Sequence, residues 1–130
     1  RPDNFFFKND DPKSRIIAID WQLASKLRGI TDISYLSAWG MPPNIRSLHE
    51  KHILNHYHET LAKNGILDYP MDQLKLDYKL GFLYVLQVIL IASFNLMEKT
   101  SRERKLIKSV NKRMDAIVQD HNLLKLLNEI

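Results

Sequence analysis

Two oxygen-bearing side chains, Asn4 and Asp20, flank the opening stretch of the chain in a pattern that can hold a cation. Between them lie two short apolar runs, Phe5-Phe6-Phe7 and the β-branched Ile16-Ile17-Ala18-Ile19, separated by the turn-forming cluster Asn9-Asp10-Asp11-Pro12. This pattern predicts an antiparallel hairpin with both faces covered. A reversal centred near residue 12 pairs residues whose numbers sum to about 24. Asn4 and Asp20 then face each other at the open end, with Cβ atoms about 5 Å apart. An amide oxygen and a carboxylate so placed can share a hard divalent cation such as Mg2+, which leaves its other positions to phosphate and water. Asn and Asp at strand ends also serve as turn formers and helix caps, so these residues alone leave both readings open.

Other titratable clusters carry less. His52 and His56 stand four apart on one helix face, as in helical zinc sites, but Ile53 occupies the place of the glutamate in a His-Glu-x-x-His motif. His49 and His58 add no third ligand by spacing, and helical histidines at the surface or partly buried are the expectation. The chain has no cysteine, which excludes disulfides, thiolate metal sites and cysteine nucleophiles. Net charge is +4, and the excess is local: Lys99, Arg102, Arg104, Lys105, Lys108, Lys112 and Arg113 stand against the single acid Glu103. No aromatics interleave with these cations, so they read as the solvated face of an amphipathic helix and not as a nucleic-acid surface. The opposite face would carry Leu106, Ile107, Val110, Met114 and Ile117.

After the hairpin the period turns helical and stays so. Thr31 or Asp32 can cap a short helix through Trp39, ended by Gly40 and Pro42-Pro43. A second helix is predicted over 44–64, with Leu48, His52, Leu54, Tyr57 and Leu61 near one stripe and Gly65 as its stop. Asp72 can cap a third, running to about Lys99, and Ser101 a fourth to about Asp120; a short Leu-rich helix closes the chain. Leu80 to Met97 carries no charge but contains Gln87, Ser93 and Asn95, and reads as a buried core helix in preference to a membrane span. The 130 residues, 45% apolar and 26% charged, make one domain or one lobe of a larger one, with no disorder signature. The fold class expected is mainly α (α+β): a β-hairpin followed by a helical bundle.

Arg1-Pro2-Asp3-Asn4-Phe5-Phe6-Phe7, a turn, and then Ile17-Ala18-Ile19-Asp20-Trp21-Gln22 resembles the second half of the active site of the aminoglycoside phosphotransferase and choline-kinase-like superfamily, in particular its ecdysteroid-kinase-like branch. The catalytic loop there reads His-Gly-Asp, four residues, Asn, and a later strand ends in Asp-Phe-Gln or Asp-Trp-Gln. Gly29-Ile30-Thr31-Asp32-Ile33-Ser34-Tyr35-Leu36 is similar to the family's Gly-x-x-x-Asp-Leu-Ala-Tyr-Phe-Leu, and Arg46 to Leu61, Gly65 and Tyr69-Pro70 are similar to the helix and turn that follow. The resemblance covers about residues 1–95 and is most specific over 1–36.

That resemblance implies a protein-kinase-like C-terminal lobe spanning 1–130, within a cytoplasmic phosphotransferase that acts on a small-molecule alcohol. It implies Asn4 and Asp20 as ligands of Mg2+ on the phosphates of ATP, and Asp32 as a structural brace of the catalytic loop. The general base would lie two residues before Arg1, and the nucleotide-gripping N-terminal lobe with its lysine would precede it. The chain therefore reads as a piece of a longer protein and is expected to be inactive alone, with no catalytic base of its own. The partners expected are ATP, the alcohol acceptor and the missing N-terminal lobe; neither nucleic acid nor a membrane is favoured. The alternative is a pseudokinase lobe or non-catalytic helical adaptor that uses the basic face as its partner surface.

Overall fold

The computed structural model describes residues 4–7, 16–21, 24–96 and 100–129. Its elements are two strands, β1 (Phe5–Phe7) and β2 (Ile16–Ala18), and five helices, α1 (Ile30–Gly40), α2 (Pro43–Lys63), α3 (Met71–Leu96), α4 (Ser101–Asp120) and α5 (Leu123–Glu129). The architecture is mainly helical with a small antiparallel hairpin at its start, as the periodicity predicts. The turn cluster at 9–12 lies outside the described residues.

Helix α3 is the centre of the fold. Leu74, Tyr78, Phe82, Val85 and Ile89 repeat at helical spacing and are all buried. Helix α1 lies against it through small residues, with Ser34, Ser37 and Ala38 buried beside Ile30. The approach is close at Gly81, where a Cβ would sit 2.4 Å from Ser34 Oγ. Leu54 of α2, Val110, Met114 and Ile117 of α4 and Leu123 of α5 join the core.

The helix ends follow local rules, with shifts from the predicted caps. Helix α1 begins at Ile30 after Gly29, one residue ahead of Thr31, and no side chain caps it; Asp32 falls in its first turn, where a carboxylate suits the helix dipole. Pro43 opens α2, since a first-turn residue needs no amide hydrogen. At its other end Gly65, at φ 87°, makes the turn: its N–H bonds the Ala62 carbonyl and the Ile66 N–H reaches the Leu61 carbonyl, a Schellman arrangement. Asp72 lies within the first turn of α3, and Ser101 is the first residue of α4.

Three expectations about burial change. The hairpin is open on both faces: Phe6, Phe7, Ile16 and Ile17 are each more than half exposed. The charge-free run predicts a third helix buried all round, yet Tyr84, Leu90 and Ile91 are exposed. No helix of the described residues is long and apolar enough to cross a membrane. On α4, Val110, Met114 and Ile117 are inside, while Leu106 is 40% exposed. Arg102, Arg104, Lys105, Lys108 and Lys112 are solvated as expected, but Arg113 turns inward and donates to the Trp39 carbonyl oxygen. Lys99 lies outside the described residues.

Candidate functional site

The hairpin's register pairs Phe5 with Ala18, Phe6 with Ile17 and Phe7 with Ile16, so paired numbers sum to 23 and not 24. Asn4 therefore sits opposite Ile19, whose N–H donates to the Asn4 carbonyl oxygen at 3.0 Å. Asp20 is one step beyond. It still reaches Asn4, because its backbone turns to φ 66°, a left-handed conformation uncommon outside glycine. The Asn4 side-chain amide donates to Asp20 Oδ2 at 3.2 Å. One-residue slip and left-handed turn offset each other. The segment after Asp20 is held locally: the Trp21 indole N–H donates to the Ala18 carbonyl oxygen at 2.9 Å, and the Ala24 N–H to the Trp21 carbonyl oxygen at 2.9 Å.

Asp20 is exposed and Asn4 half-buried, and among the described residues no Lys or Arg pairs with Asp20. The donor set suits a hard cation, provided that the Asn4 amide turns its oxygen where its nitrogen now points, a half-turn of one side-chain torsion. Asp32, exposed on the first turn of α1, is not drawn into that pair. It lies near Tyr57, whose hydroxyl is pushed up by burial and then by the Asp32 charge. The residues before Asn4 and Gln22 lie outside the described residues.

A family described as "Uncharacterized oxidoreductase dhs-27", DUF1679, matches residues 2–126. The chain belongs to this family. No curated protein and no solved structure matches it.

Two polar clusters of this DUF1679 chain escape a reading by motif. In the first, the buried Asp77 accepts hydrogen bonds from the Tyr69 hydroxyl at 2.6 Å, from the Gln73 amide at 2.9 Å and from the Arg28 guanidinium. Burial works to raise its carboxyl, but the bonds from Tyr69, Arg28 and Gln73 outweigh it and hold Asp77 below the usual carboxylate range. Burial and the Asp77 carboxylate push Tyr69 the other way, well above an ordinary phenol. In the second, Arg46 is 1% exposed and donates to both Glu50 oxygens, at 3.3 and 3.1 Å, and to Asp120. His121 Nε2 lies 2.9 Å from Glu50 Oε1, closing the group. Burial raises the Glu50 carboxyl, and the His121 bond and charge bring it below its ordinary value. One signal was available: Asp77 is a lone acid on the stripe that also carries Leu74, Tyr78 and Phe82.

The histidines behave as surface and packing residues. His52 and His56 stack with ring centroids 6.5 Å apart and are exposed, and His58 Nε2 lies 2.8 Å from the Tyr69 carbonyl oxygen. Among the described residues no group of three His, Asp or Glu side chains is arranged to hold a metal.

Proposed function

We propose that the chain is the metal- and acceptor-binding lobe of an ATP-dependent phosphotransferase that phosphorylates a hydroxyl of a small molecule, related to the ecdysteroid-kinase-like enzymes. The single observation that carries this reading is the Asn4–Asp20 pair, 3.2 Å apart across the hairpin's open end. An amide and a carboxylate from the two ends of the hairpin meet there, a half-turn of the Asn4 amide presents two hard oxygen donors, and the carboxylate has no protein cation beside it among the described residues. The Asn-Phe-Phe-Phe and Ile-Asp-Trp-Gln motifs around them support it.

In this reading Asn4 and Asp20 hold Mg2+, which when bound neutralises charge on the nucleotide phosphates. The protein's own contribution is placement. The left-handed backbone at Asp20 aims its carboxylate at Asn4, and the Trp21 and Ala24 hydrogen bonds fix the turn behind it. Asp32, on the first turn of α1, takes the position of the residue that braces the catalytic loop in the ecdysteroid-kinase-like enzymes. The helices from Asn44 onward shape the acceptor site. The family's oxidoreductase label is a description of the family. The four glycines here stand at 29, 40, 65 and 81, so the chain carries no G-x-G-x-x-G dinucleotide fingerprint.

The test is made on the full-length protein that contains this lobe. Asp20→Ala lowers Mg2+-dependent ATP turnover by about 10²–10³-fold or more, the scale set by removing one preorganised electrostatic contact, with an unchanged circular dichroism spectrum. Turnover retained in that variant overturns the assignment. Steeply salt-dependent nucleic-acid binding through Arg102–Lys112 would support the adaptor in its place.

A further inference from the structure

A cleft of about 280 Å3 opens between α2, α3 and the α4–α5 turn, and none of its lining residues belongs to the hairpin. Its floor is apolar, built from Leu54, Met71 and Tyr78, and its rim carries three lysines, Lys51 from α2 and Lys75 and Lys79 from α3. We infer that this cleft binds an amphipathic carboxylate, a medium-chain fatty or similar organic acid, with its head on the lysine rim and its body on the apolar floor.

The argument is one of charge and shape together. Lys75 and Lys79 stand one helical turn apart, and Lys51 reaches the same opening from the facing helix. Lys75 has a carboxylate near it, Asp72 at 3.6 Å, but Asp72 is almost wholly exposed and the pair is weak. Among the described residues Lys51 and Lys79 have no carboxylate partner. The carboxylate lining the cleft, Glu50, is already engaged by the buried Arg46 and by His121, so its charge is answered from behind. What remains facing the cleft is a positive rim over an apolar floor. A concave apolar surface with a few convergent polar groups is the usual form of a small-molecule site. Three ammonium groups select an anion, and the floor selects an acid with a hydrocarbon body over a bare phosphate.

The methionines make the experiment local, since there are only four: Met41, Met71, Met97 and Met114. The chain is labelled at its methionine methyl groups and titrated with decanoate and, separately, with decanol. Met71→Leu assigns the reporting signal. The expected result is a saturable shift of the Met71 methyl with decanoate and none of Met114, which is buried in the core. Decanol binds at least tenfold more weakly, and Lys51→Gln with Lys79→Gln raises the dissociation constant for decanoate at least tenfold while the circular dichroism spectrum is unchanged. Equal affinity for acid and alcohol overturns the inference, as does an unsaturated Met71 shift or a double variant that binds decanoate as before. The outcome is independent of Asn4 and Asp20, so its failure leaves the phosphotransferase reading where it stands.

Discussion

Gly81→Ala sets a known gain against a geometric cost, and the structure decides the sign. Alanine inside a helix is favoured over glycine by about 1 kcal/mol, so propensity alone expects a more stable protein. At position 81 the new Cβ would lie 2.4 Å from Ser34 Oγ, 2.9 Å from Ser34 Cβ and 3.3 Å from Thr31 Cα. The first two contacts are shorter than carbon atoms tolerate, so α1 must move away from α3 or Ser34 must turn. Overpacking of this kind costs about 1–3 kcal/mol. Turning Ser34 also gives up its buried hydrogen bond to the Tyr78 carbonyl oxygen, at 2.9 Å, for about 1 kcal/mol more. The net expectation is destabilisation by about 1–3 kcal/mol, read as a lower urea midpoint with unchanged slope. Ser34→Ala removes the Oγ clash but leaves the Cβ contact, so rescue is partial: the double variant shows a coupling of about 1 kcal/mol. A Gly81→Ala protein with a raised midpoint, or a cycle with zero coupling, would show that the helices are not in contact here.

The two buried polar clusters give further expectations. Asp77 has its folded pKa held below the unfolded 3.8, so its contribution is present above about pH 4 and is lost as pH falls through the folded value. Asp77→Asn costs about 1–3 kcal/mol at neutral pH and flattens the acid limb of stability between pH 2 and 5, followed by thermal melts; an acid limb identical to the parent's would refute the assignment. Arg46→Met removes one of the groups that hold Glu50 and leaves His121, and costs about 1–3 kcal/mol; adding Glu50→Gln returns part of that loss in urea titrations. The Asp120 arm contributes little, since that side chain is 49% exposed.

Periodicity carried the helices. The spacing of Leu74, Tyr78, Phe82, Val85 and Ile89 announces α3 and its buried stripe, and Gly65 announces the end of α2, because each signal is local and the physics that enforces it is local too. Hairpin register was legible only to within one residue. Phe5-Phe6-Phe7 is apolar at every position, so no alternation pins which neighbour Asn4 faces, and the register rests on where the turn is centred. The left-handed backbone at Asp20 had no sequence signal beyond its being an aspartate, a residue type that tolerates the conformation. Outward-facing Leu90 and Ile91 were hidden for a different reason: a run without charges does not say which side neighbours will cover. The partners of Asp77 and Arg46 are long-range, 49 residues from Arg28 to Asp77 and 74 from Arg46 to Asp120, and no window along the chain contains both ends.

Those distant partners bear on the hairpin end. Arg28 stands between Asp20 and α1, and its guanidinium is tied to Asp77 in the core of α3. Its carbonyl oxygen accepts from the Thr31 N–H as α1 begins, at 2.9 Å. Hydrogen bonds of Trp21 and Ala24 lie on one side of this stretch and the Arg28–Asp77 contact on the other. A two-stranded hairpin with strands of three residues has little stability of its own. Its orientation must come from such tethers, and among the described residues Arg28–Asp77 reaches a buried group. Loss of that tether therefore acts twice, once on global stability and once on where the Asp20 carboxylate points. On the proposed phosphotransferase reading, Asp77→Asn lowers turnover of the intact protein more than a core truncation of matched stability cost, such as Val85→Ala. Equal activity losses at equal stability would mean that the Arg28 tether holds the fold alone and leaves the hairpin end to other contacts.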